Sequence, residues 1–281
     1  MSKAVQRPVD PWSEMAITAA DDTGIHELAR LLELRAEGDD QVATRDAYLD
    51  ALQIRPGEQV LDVGCGTGVV TRAVARRVGP SGRVIGLDPS QTMLAIGREI
   101  AEREEVLDRI EFRAGDVRML PFDDAAFDAV LAITVLSHTT DAERAIPAMI
   151  RVLRPGGRIG IFDLDTSSWI ISHPDRELTQ RIGMAGSRIA TDGWLARRLP
   201  GLLEAAGIED IQVRAFTPLE RNPSGFYAAL AERWAAMAVN MKAISEEERQ
   251  RWLTILHEEQ AANRFFAGLT HLFIWGRRPE R

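Results

Sequence analysis

Residues 60–68 read VLDVGCGTG, an apolar run that enters a turn of three alternating glycines. The apolar run predicts a buried strand, and the amphipathic stretch after the turn predicts a helix. Gly64 and Gly66 let the backbone approach a ligand that any Cβ would obstruct, and Gly68 allows close helix packing. Asp88 ends the next apolar run, where its carboxylate could accept both ribose hydroxyls of a nucleotide. The turn and the carboxylate together predict a cofactor site.

Short apolar runs and amphipathic segments alternate on both sides of this turn. The apolar runs predict strands at residues 60–63, 84–87, 110–112, 129–135 and 158–162. This alternation favours an α/β fold with a parallel sheet and crossover helices on both faces. Further along, the pattern loosens over 163–193, then predicts a helix at 194–206 and strands at about 211–216 and 265–275.

The same patterns divide the chain into three parts. They are a helical N-terminal cap at 1–54, a core at 55–220 together with 264–281, and a helical insertion at 221–263. The cap shows apolar residues at helical spacing and carries no chemical motif. In the insertion, a stripe of Leu230, Trp234, Met237 and Met241 either packs on the sheet or on a second subunit, or covers a ligand.

The composition excludes several classes of protein. The chain has 281 residues, of which 45% are hydrophobic and 27% charged, as is typical of a folded globular protein. Its net charge of −8 provides no positive field for nucleic acid or anionic lipid. Only Lys3 and Lys242 are lysines, and neither follows a glycine-rich turn. This excludes a GxxxxGK phosphate-binding loop and argues against Schiff-base chemistry.

Cysteine usage and the apolar segments predict a cytoplasmic protein. The single cysteine, Cys65, excludes an intramolecular disulfide and a cysteine-based zinc site. Residues 1–15 lack the features of a signal peptide, and the longest apolar stretch, 129–136, is well short of the ~20 residues of a membrane span. We therefore expect neither a membrane nor a nucleic-acid partner.

Five blocks of sequence resemble the class I S-adenosylmethionine-dependent methyltransferases, especially the small-molecule branch that includes the ubiquinone-biosynthesis type. The blocks are residues 60–68, LDPSQTML at 87–94, AGDV at 114–117, the stretch 127–138 that begins FDAV, and RVLRPGGR at 151–158. The resemblance implies S-adenosylmethionine as cofactor and a Rossmann-like open sheet of seven strands, mostly parallel with an antiparallel last strand. It also implies that the helical cap and the insertion form a lid over the acceptor.

The resemblance further implies roles for the matching residues. Asp62 would approach the methionine amino group, Asp88 would hold the ribose hydroxyls, and Asp116 would accept the exocyclic amine of adenine. The residues assigned to cofactor binding are Asp62, Gly64, Gly66, Gly68, Asp88, Pro89, Met93, Asp116, Val117 and Thr134. For the three carboxylates the alternative is a structural role, such as capping a helix or a turn.

A sulfonium is already a potent methyl donor, so the protein chiefly has to align the reactants in a dry pocket. A base is needed only when the acceptor is a hydroxyl, a weakly acidic carbon or a protonated amine. His138 and His173 are the candidates for this catalytic role; alternatively, His138 only lines the cofactor and His173 is a loop residue. Asp163 and Asp165 could act as bases or metal ligands, but a turn role is favoured, so no metal site is predicted.

These observations favour S-adenosylmethionine-dependent methyl transfer, by in-line displacement, to a small and largely apolar acceptor, as in secondary metabolism. An apolar pocket could come from Trp169, Trp194, Phe226, Tyr227 and Trp234, which could equally be core residues. One alternative function is a non-methylating or regulatory protein on the same scaffold, such as a cyclase. An NAD-dependent dehydrogenase is disfavoured because neither tyrosine has a lysine four residues on. The acceptor, the atom methylated and the oligomeric state, a homodimer included, stay open.

Overall fold

Ten strands are present in the computed structural model, which describes residues 22–280 together with Asp10, Trp12, Ser13 and Ala16. The strands are β1 Gln59–Val63, β2 Arg83–Asp88, β3 Ile110–Ala114, β4 Phe127–Ile133, β5 Leu153–Leu164, β6 Ile170–Ile171, β7 Glu209–Phe216, β8 Leu219–Glu220, β9 Ala267–Gly268 and β10 His271–Arg277. Seven of them form one sheet in the order β3-β2-β1-β4-β5-β10-β7. Strands β1 to β5 pair in parallel, whereas β10 runs antiparallel to β5 and β7. The predicted fold class, a mostly parallel seven-stranded sheet with an antiparallel last strand, is confirmed.

Helices cover both faces of this sheet. They are α1 Asp22–Glu37, α2 Asp39–Ala51, α3 Val69–Val78, α4 Gln91–Arg103, α5 Ala145–Val152, α6 Arg176–Gly186, α7 Leu195–Ala205, α8 Phe226–Asn240 and α9 Glu246–Ala261. Apolar side chains of α5 and α7 pack on one face, and those of α2 and α3 pack on the other. None of the helices in this described part of the chain is long and apolar enough to cross a membrane.

Helix α6 lies in the stretch where the sequence pattern loosens, and no helix was expected there. Asp175 begins it by accepting the N–H of Leu178 at 3.0 Å. Gly183 interrupts the helical pattern, and a Cβ at this position would lie 3.0 Å from the Trp169 ring. Gly186 ends the helix, and a Cβ there would lie 2.0 Å from the Trp234 ring. The close packing of these two rings therefore favours glycines that weaken the sequence signal of a helix.

A separate apolar core joins the segments that flank the sheet. Tyr227, Trp234 and Trp252 of α8 and α9 are almost fully buried there, together with Ile182 of α6. The short sheet β6-β9-β8 packs against the same cluster through Ala267. This core holds α8 in a fixed position beside the main sheet.

The order of the strands creates a crevice at the carboxyl ends of β1, β2 and β4. Strand β1 lies between β2 and β4, so the chain first builds the sheet on one side and then on the other. Open α/β sheets bind ligands at such a switch point, outside the carboxyl ends of the strands. The glycine turn at 64–68, Asp88 and Thr134 all follow or end these strands and so lie at this edge.

Candidate active site

The glycine turn joins β1 to α3 and is fixed against the end of β2. Gly64 and Cys65 donate their N–H groups to the carbonyl of Leu87, at 2.7 and 3.0 Å. Gly64 and Gly68 have φ angles of 69° and 78°, in the left-handed region that favours glycine. A Cβ at Gly68 would lie 2.7 Å from the ring of Phe112. Gly68 therefore allows α3 to pack closely on the sheet.

Asp62 is a buried carboxylate near the end of β1. Its Oδ2 accepts the hydroxyl of Thr71 at 2.6 Å, and no ion pair to it is found among the described residues. Burial raises the pKa of Asp62 to about 7, with the negative charge of Asp88 adding to the effect and the Thr71 bond opposing it. A bound cation would relieve the cost of ionising this group.

Asp88 ends β2 and holds the backbone on either side of it. Its Oδ2 accepts the N–H of Gly66 at 2.8 Å, and its Oδ1 accepts the N–H of Ser90 at 2.9 Å. Burial raises the pKa of Asp88, while these two bonds oppose the increase. A carboxylate has about four acceptor positions, so each oxygen keeps one for a ligand hydroxyl.

Asp116 follows β3 and is more exposed than the other two carboxylates. Its Oδ2 lies 2.6 Å from the guanidinium of Arg118, with 29% of the Asp116 side chain exposed. The hydrogen bond from Arg118 lowers the pKa of Asp116 below its ordinary range. An ionised carboxylate accepts hydrogen bonds only, as recognition of an amino group requires.

These side chains converge on one cavity of about 180 Å³, which we call the cofactor cavity. The predicted cofactor residues that line it are Asp62, Gly64, Gly66, Asp88, Pro89, Met93, Asp116, Val117 and Thr134. Gly68, the tenth, is not among its lining residues and packs on Phe112 instead.

The first two helices close the cofactor cavity with Arg35, Arg45 and Tyr48. Sequence reasoning missed these residues because it treated residues 1–54 as a segment without a chemical motif. One signal was available, since Arg45 falls in line with the apolar residues Tyr48, Leu49 and Leu52 at helical spacing. A guanidinium on the apolar face of a helix could hold the carboxylate of a bound amino acid.

A second cavity, of about 100 Å³, adjoins the cofactor cavity. The two share the lining residues Trp12, Leu32, Arg35, Thr134 and His138. Of the aromatic residues singled out in the sequence, Phe226, Tyr227 and Trp234 line the second cavity. Trp169 instead packs on Trp234 with ring centroids 5.0 Å apart, and Trp194 is 56% exposed.

His138 lies where the two cavities meet and is held by a carboxylate. Its Nδ1 is 2.8 Å from Oδ2 of Asp10, which also accepts the N–H of Thr191 at 2.9 Å. An ionised carboxylate cannot donate, so Nδ1 carries the hydrogen and Nε2 of the neutral ring carries the lone pair. Sequence reasoning gave no signal for Asp10, which is 128 residues away along the chain.

Thr134 immediately follows β4 and also lines both cavities. Its φ angle is 55°, in the left-handed region that β-branched residues rarely adopt. The N–H of Thr134 donates to the carbonyl of Phe162 at 2.6 Å, which ties this backbone to β5. The hydrogen bond to β5 thus stabilises an unfavourable backbone conformation of Thr134, where the two cavities meet.

The structure does not bring His173 to either cavity. Its Nδ1 accepts the N–H of Asp175 and its Nε2 lies 3.1 Å from the carbonyl of Trp252, so Nε2 carries the hydrogen. The ring stacks on Trp252 at 4.7 Å, and burial lowers the pKa of His173. These contacts give His173 a structural role between α6 and α9.

Asp163 and Asp165 also have structural partners. Asp163 accepts the N–H and the hydroxyl of Ser137, whereas Asp165 pairs with Arg197 at 2.6 Å and accepts the N–H of Ser167. Within residues 22–280 and the four described before them, no group of three or more His, Cys, Asp or Glu side chains could hold a metal ion.

The fold and the cofactor cavity define a nucleotide-binding α/β protein of the methyltransferase type. The family model described as a methyltransferase domain matches residues 60–157. An uncharacterized 37.1 kDa protein in transposon TN4556 of Streptomyces fradiae is 37% identical over 240 residues, which are 82% of this chain and 68% of the relative. The ubiquinone/menaquinone biosynthesis C-methyltransferase UbiE of Idiomarina loihiensis is 31% identical over 184 residues, 60% of this chain and 73% of the relative.

The crystal structure of the [4+2]-cyclase SpnF shares the fold, with a TM-score of 0.57, 20% identity and coverage of 97% of this chain and 98% of the other. The chain belongs to the class I S-adenosylmethionine-dependent methyltransferases, with relatives of the ubiquinone-biosynthesis type. Its cofactor is S-adenosylmethionine, as the resemblance predicted. The family match and the relatives named as methyltransferases do not favour the dehydrogenase or the non-methylating alternative, and the likeness to the cyclase, at 20% identity, shows the fold alone.

Proposed function

We propose that the protein transfers the methyl group of S-adenosylmethionine to a small, largely apolar acceptor in the second cavity. The observation that carries this proposal is the junction of the two cavities at Leu32, Thr134 and His138. A methyl donor on one side and an acceptor on the other would face each other there, as in-line displacement requires.

The residues around the cofactor cavity suit this cofactor group by group. Asp62 would hold the methionine ammonium, whose charge offsets the burial of the carboxylate. Asp88 would accept the ribose hydroxyls with its remaining acceptor positions, and Asp116 would accept the adenine amine. Arg45 of α2 would hold the methionine carboxylate. When bound, the cofactor supplies an activated methyl group on a sulfonium cation, so these side chains bind and orient without breaking bonds.

The second cavity supplies the conditions for the acceptor. Phe226, Tyr227 and Trp234 provide apolar walls that exclude water and favour an apolar body. His138 would take a proton from an acceptor hydroxyl, carbon or amine through Nε2, and Asp10 would position the ring. The relative from Idiomarina loihiensis is named a C-methyltransferase, which makes carbon one candidate for the atom methylated.

The division of the chain is part of the same proposal. Helices α1 and α2, in the predicted cap at 1–54, close the cofactor cavity, and α8, in the insertion at 221–263, lines the second cavity. These contacts support a core at 55–220 and 264–281 that carries two lid elements. A cytoplasmic location stays a prediction from the sequence, and a homodimer remains open.

The test combines cofactor binding with a methyl-transfer assay. S-adenosylhomocysteine should bind with one site per chain by calorimetry, and radiolabelled S-adenosylmethionine should label small aromatic acceptors in a screened panel. His138→Gln should lower transfer to an acceptor that needs deprotonation while leaving S-adenosylhomocysteine affinity unchanged. His173→Gln is the matched control and should change neither. The absence of S-adenosylhomocysteine binding would refute the proposal, and equal transfer by the two variants would refute the role of His138.

A further inference from the structure

We propose that the acceptor carries a negatively charged oxygen, and that Arg35 and Arg233 bind this oxygen inside the second cavity. This inference rests on the proposed function, because it assigns the second cavity to the acceptor. It adds the chemical class of the acceptor, an oxyanion on a small apolar body.

Among the described residues, the charges that line the second cavity are all of one sign. Arg35 of α1 and Arg233 of α8 line it, and no Asp or Glu does so in the part of the chain that the structure describes. Most of the other lining residues are apolar, and both arginine side chains are partly buried. Charges removed from water are costly unless an opposite charge compensates them. A bound anion would supply that charge.

The hydrogen-bond partner of Arg35 does not neutralise the charge of its guanidinium. One guanidinium nitrogen of Arg35 lies 3.0 Å from Nε2 of His271, and Nδ1 of His271 lies 2.9 Å from the carbonyl of Leu269. Because a carbonyl only accepts, Nδ1 carries the hydrogen and Nε2 accepts from Arg35. Burial and the nearby Arg35 charge hold the pKa of His271 well below its ordinary value. The neutral ring therefore orients Arg35 without neutralising it.

Two further features keep the guanidinium of Arg35 available. The ring of Phe226 lies on one side of it, 5.6 Å from the guanidinium carbon. A guanidinium has five N–H donors, and the bond to His271 uses one of them. The remaining donors can bind an oxyanion in the two-pronged manner typical of arginine.

Most other buried or partly buried arginines of the described chain pair with a carboxylate. Arg72 forms ion pairs with Glu33 and Glu104, and Arg158 pairs with Glu58 at 2.6 Å. Arg278, which has no such pair, donates to the carbonyls of Ile150 and Leu153 instead.

Arg35 and Arg233, by contrast, form no ion pair with a carboxylate among the described residues. Glu27, whose pKa is lowered chiefly by its hydrogen bond from Arg30, also interacts electrostatically with Arg233, but from beyond ion-pair distance. The cavity-lining arginines without a carboxylate partner are Arg45 in the cofactor cavity and Arg35 and Arg233 in the second cavity, which favours an anionic ligand in each cavity rather than a general property of this arginine-rich chain.

The size of the second cavity limits the apolar body. Its volume of about 100 Å³ is smaller than the roughly 150 Å³ of an engineered apolar cavity that binds benzene. A single ring that extends toward the cofactor cavity is therefore the largest body that suits it. One-ring aromatic carboxylates and phenolates have the required size and charge.

Benzoate and nitrobenzene give the most direct test, because they have nearly the same shape and differ in charge. Calorimetry on the protein saturated with S-adenosylhomocysteine should give a benzoate dissociation constant at least about 10-fold lower than that of nitrobenzene. 4-Nitrophenolate, titrated where it is ionised, distinguishes a phenolate from a carboxylate. A preference for either anion over nitrobenzene supports the proposal and says which oxyanion is bound.

Substitutions then assign the preference to its residues. Arg233→Gln, which is outside the cofactor cavity, should reduce the preference for the anion by about 10-fold, and Arg233→Lys should retain part of it. Arg35→Gln should have a similar effect. Arg264→Gln is the matched control, because Arg264 is 62% exposed, pairs with Glu259 and lines neither cavity. Circular dichroism establishes that each variant is folded, and S-adenosylhomocysteine binding does so in addition for the Arg233 variants, whose altered residue lies outside the cofactor cavity.

The outcomes separate this inference from the proposed function. Three results would each overturn the oxyanion site. Nitrobenzene could bind as tightly as both anions, the preference for the anion could survive both Gln substitutions, or none of the probes could bind. In all three cases S-adenosylhomocysteine still binds, so the methyltransferase proposal stands. Loss of S-adenosylhomocysteine binding by the unmodified protein would instead count against the proposed function.

Discussion

Replacing Asp88 by asparagine should weaken cofactor binding by about 10- to 100-fold. The two oxygens of Asp88 each hold one backbone N–H, from Gly66 and Ser90, and each keeps one acceptor position for a ribose hydroxyl. An asparagine amide has one oxygen, and its NH2 group would face either a backbone donor or a ligand hydroxyl. At least one charge-assisted hydrogen bond is then lost, which costs about 1.5–3 kcal/mol. Since 1.4 kcal/mol is tenfold in affinity, the dissociation constant rises by the stated amount.

Calorimetric titration with S-adenosylhomocysteine measures this change directly. Asp128→Asn is the matched control, because Asp128 is also a strand carboxylate that accepts a backbone N–H, from Gln59 at 2.8 Å. It lies at the other end of β4 from the cavity, so its replacement should leave the affinity unchanged. A folded Asp88→Asn variant whose affinity for S-adenosylhomocysteine lies within threefold of that of the unmodified protein would refute the assignment of the ribose to Asp88. A threefold change is roughly 0.65 kcal/mol, well below the cost of one charge-assisted hydrogen bond.

Four further substitutions test the packing and the charges. Burial raises the pKa of Asp62 to about 7 in the folded state, whereas the unfolded chain has the ordinary pKa of 3.8. The folded state therefore binds this proton more tightly. The stabilisation that Asp62 gives is complete below pH 3.8 and is lost as the pH rises toward 7. Asp62→Asn should remove this loss in urea unfolding of the ligand-free protein, and an identical pH dependence would contradict the cause. Gly186→Ala should lower the free energy of unfolding by about 1–3 kcal/mol or more, because the added Cβ meets Trp234. Gly201→Ala, which adds a Cβ in open space on α7, should raise the free energy of unfolding by about 0.5–1 kcal/mol. Glu220→Ala should cost about 1 kcal/mol, since the carboxylate accepts the first two N–H groups of α8; no change in the unfolding midpoint would exclude that role.

The sheet could be predicted from the sequence because its signals are local. The glycine turn, the first two apolar runs and Asp88 follow one another within thirty residues, and parallel strands bring their carboxyl ends to one edge. The antiparallel placement of the last strand came from the family resemblance. Helix α6 was missed because Gly183 lies inside it and Gly186 at its end, where they leave room for the Trp169 and Trp234 rings, and both glycines weaken the pattern that signals a helix.

The parts of the site that sequence reasoning missed depend on contacts between distant segments. Asp10 and His138 are 128 residues apart, and Arg35 and His271 are 236 apart, so no local spacing indicates either pair. His173 shows the opposite error. Its position in a polar loop suggested chemistry, but its partners on α9 are visible only in the folded chain.

At position 134, the residue that favours stability differs from the residue that favours activity. A β-branched residue at a φ of 55° costs roughly 1–3 kcal/mol, which glycine at the same place would not. Thr134→Gly would therefore be among the substitutions that favour a more heat-resistant chain. It would also remove a side chain that lines both cavities, where donor and acceptor are to be aligned. Selection for thermostability alone and selection for turnover would thus choose different residues at position 134.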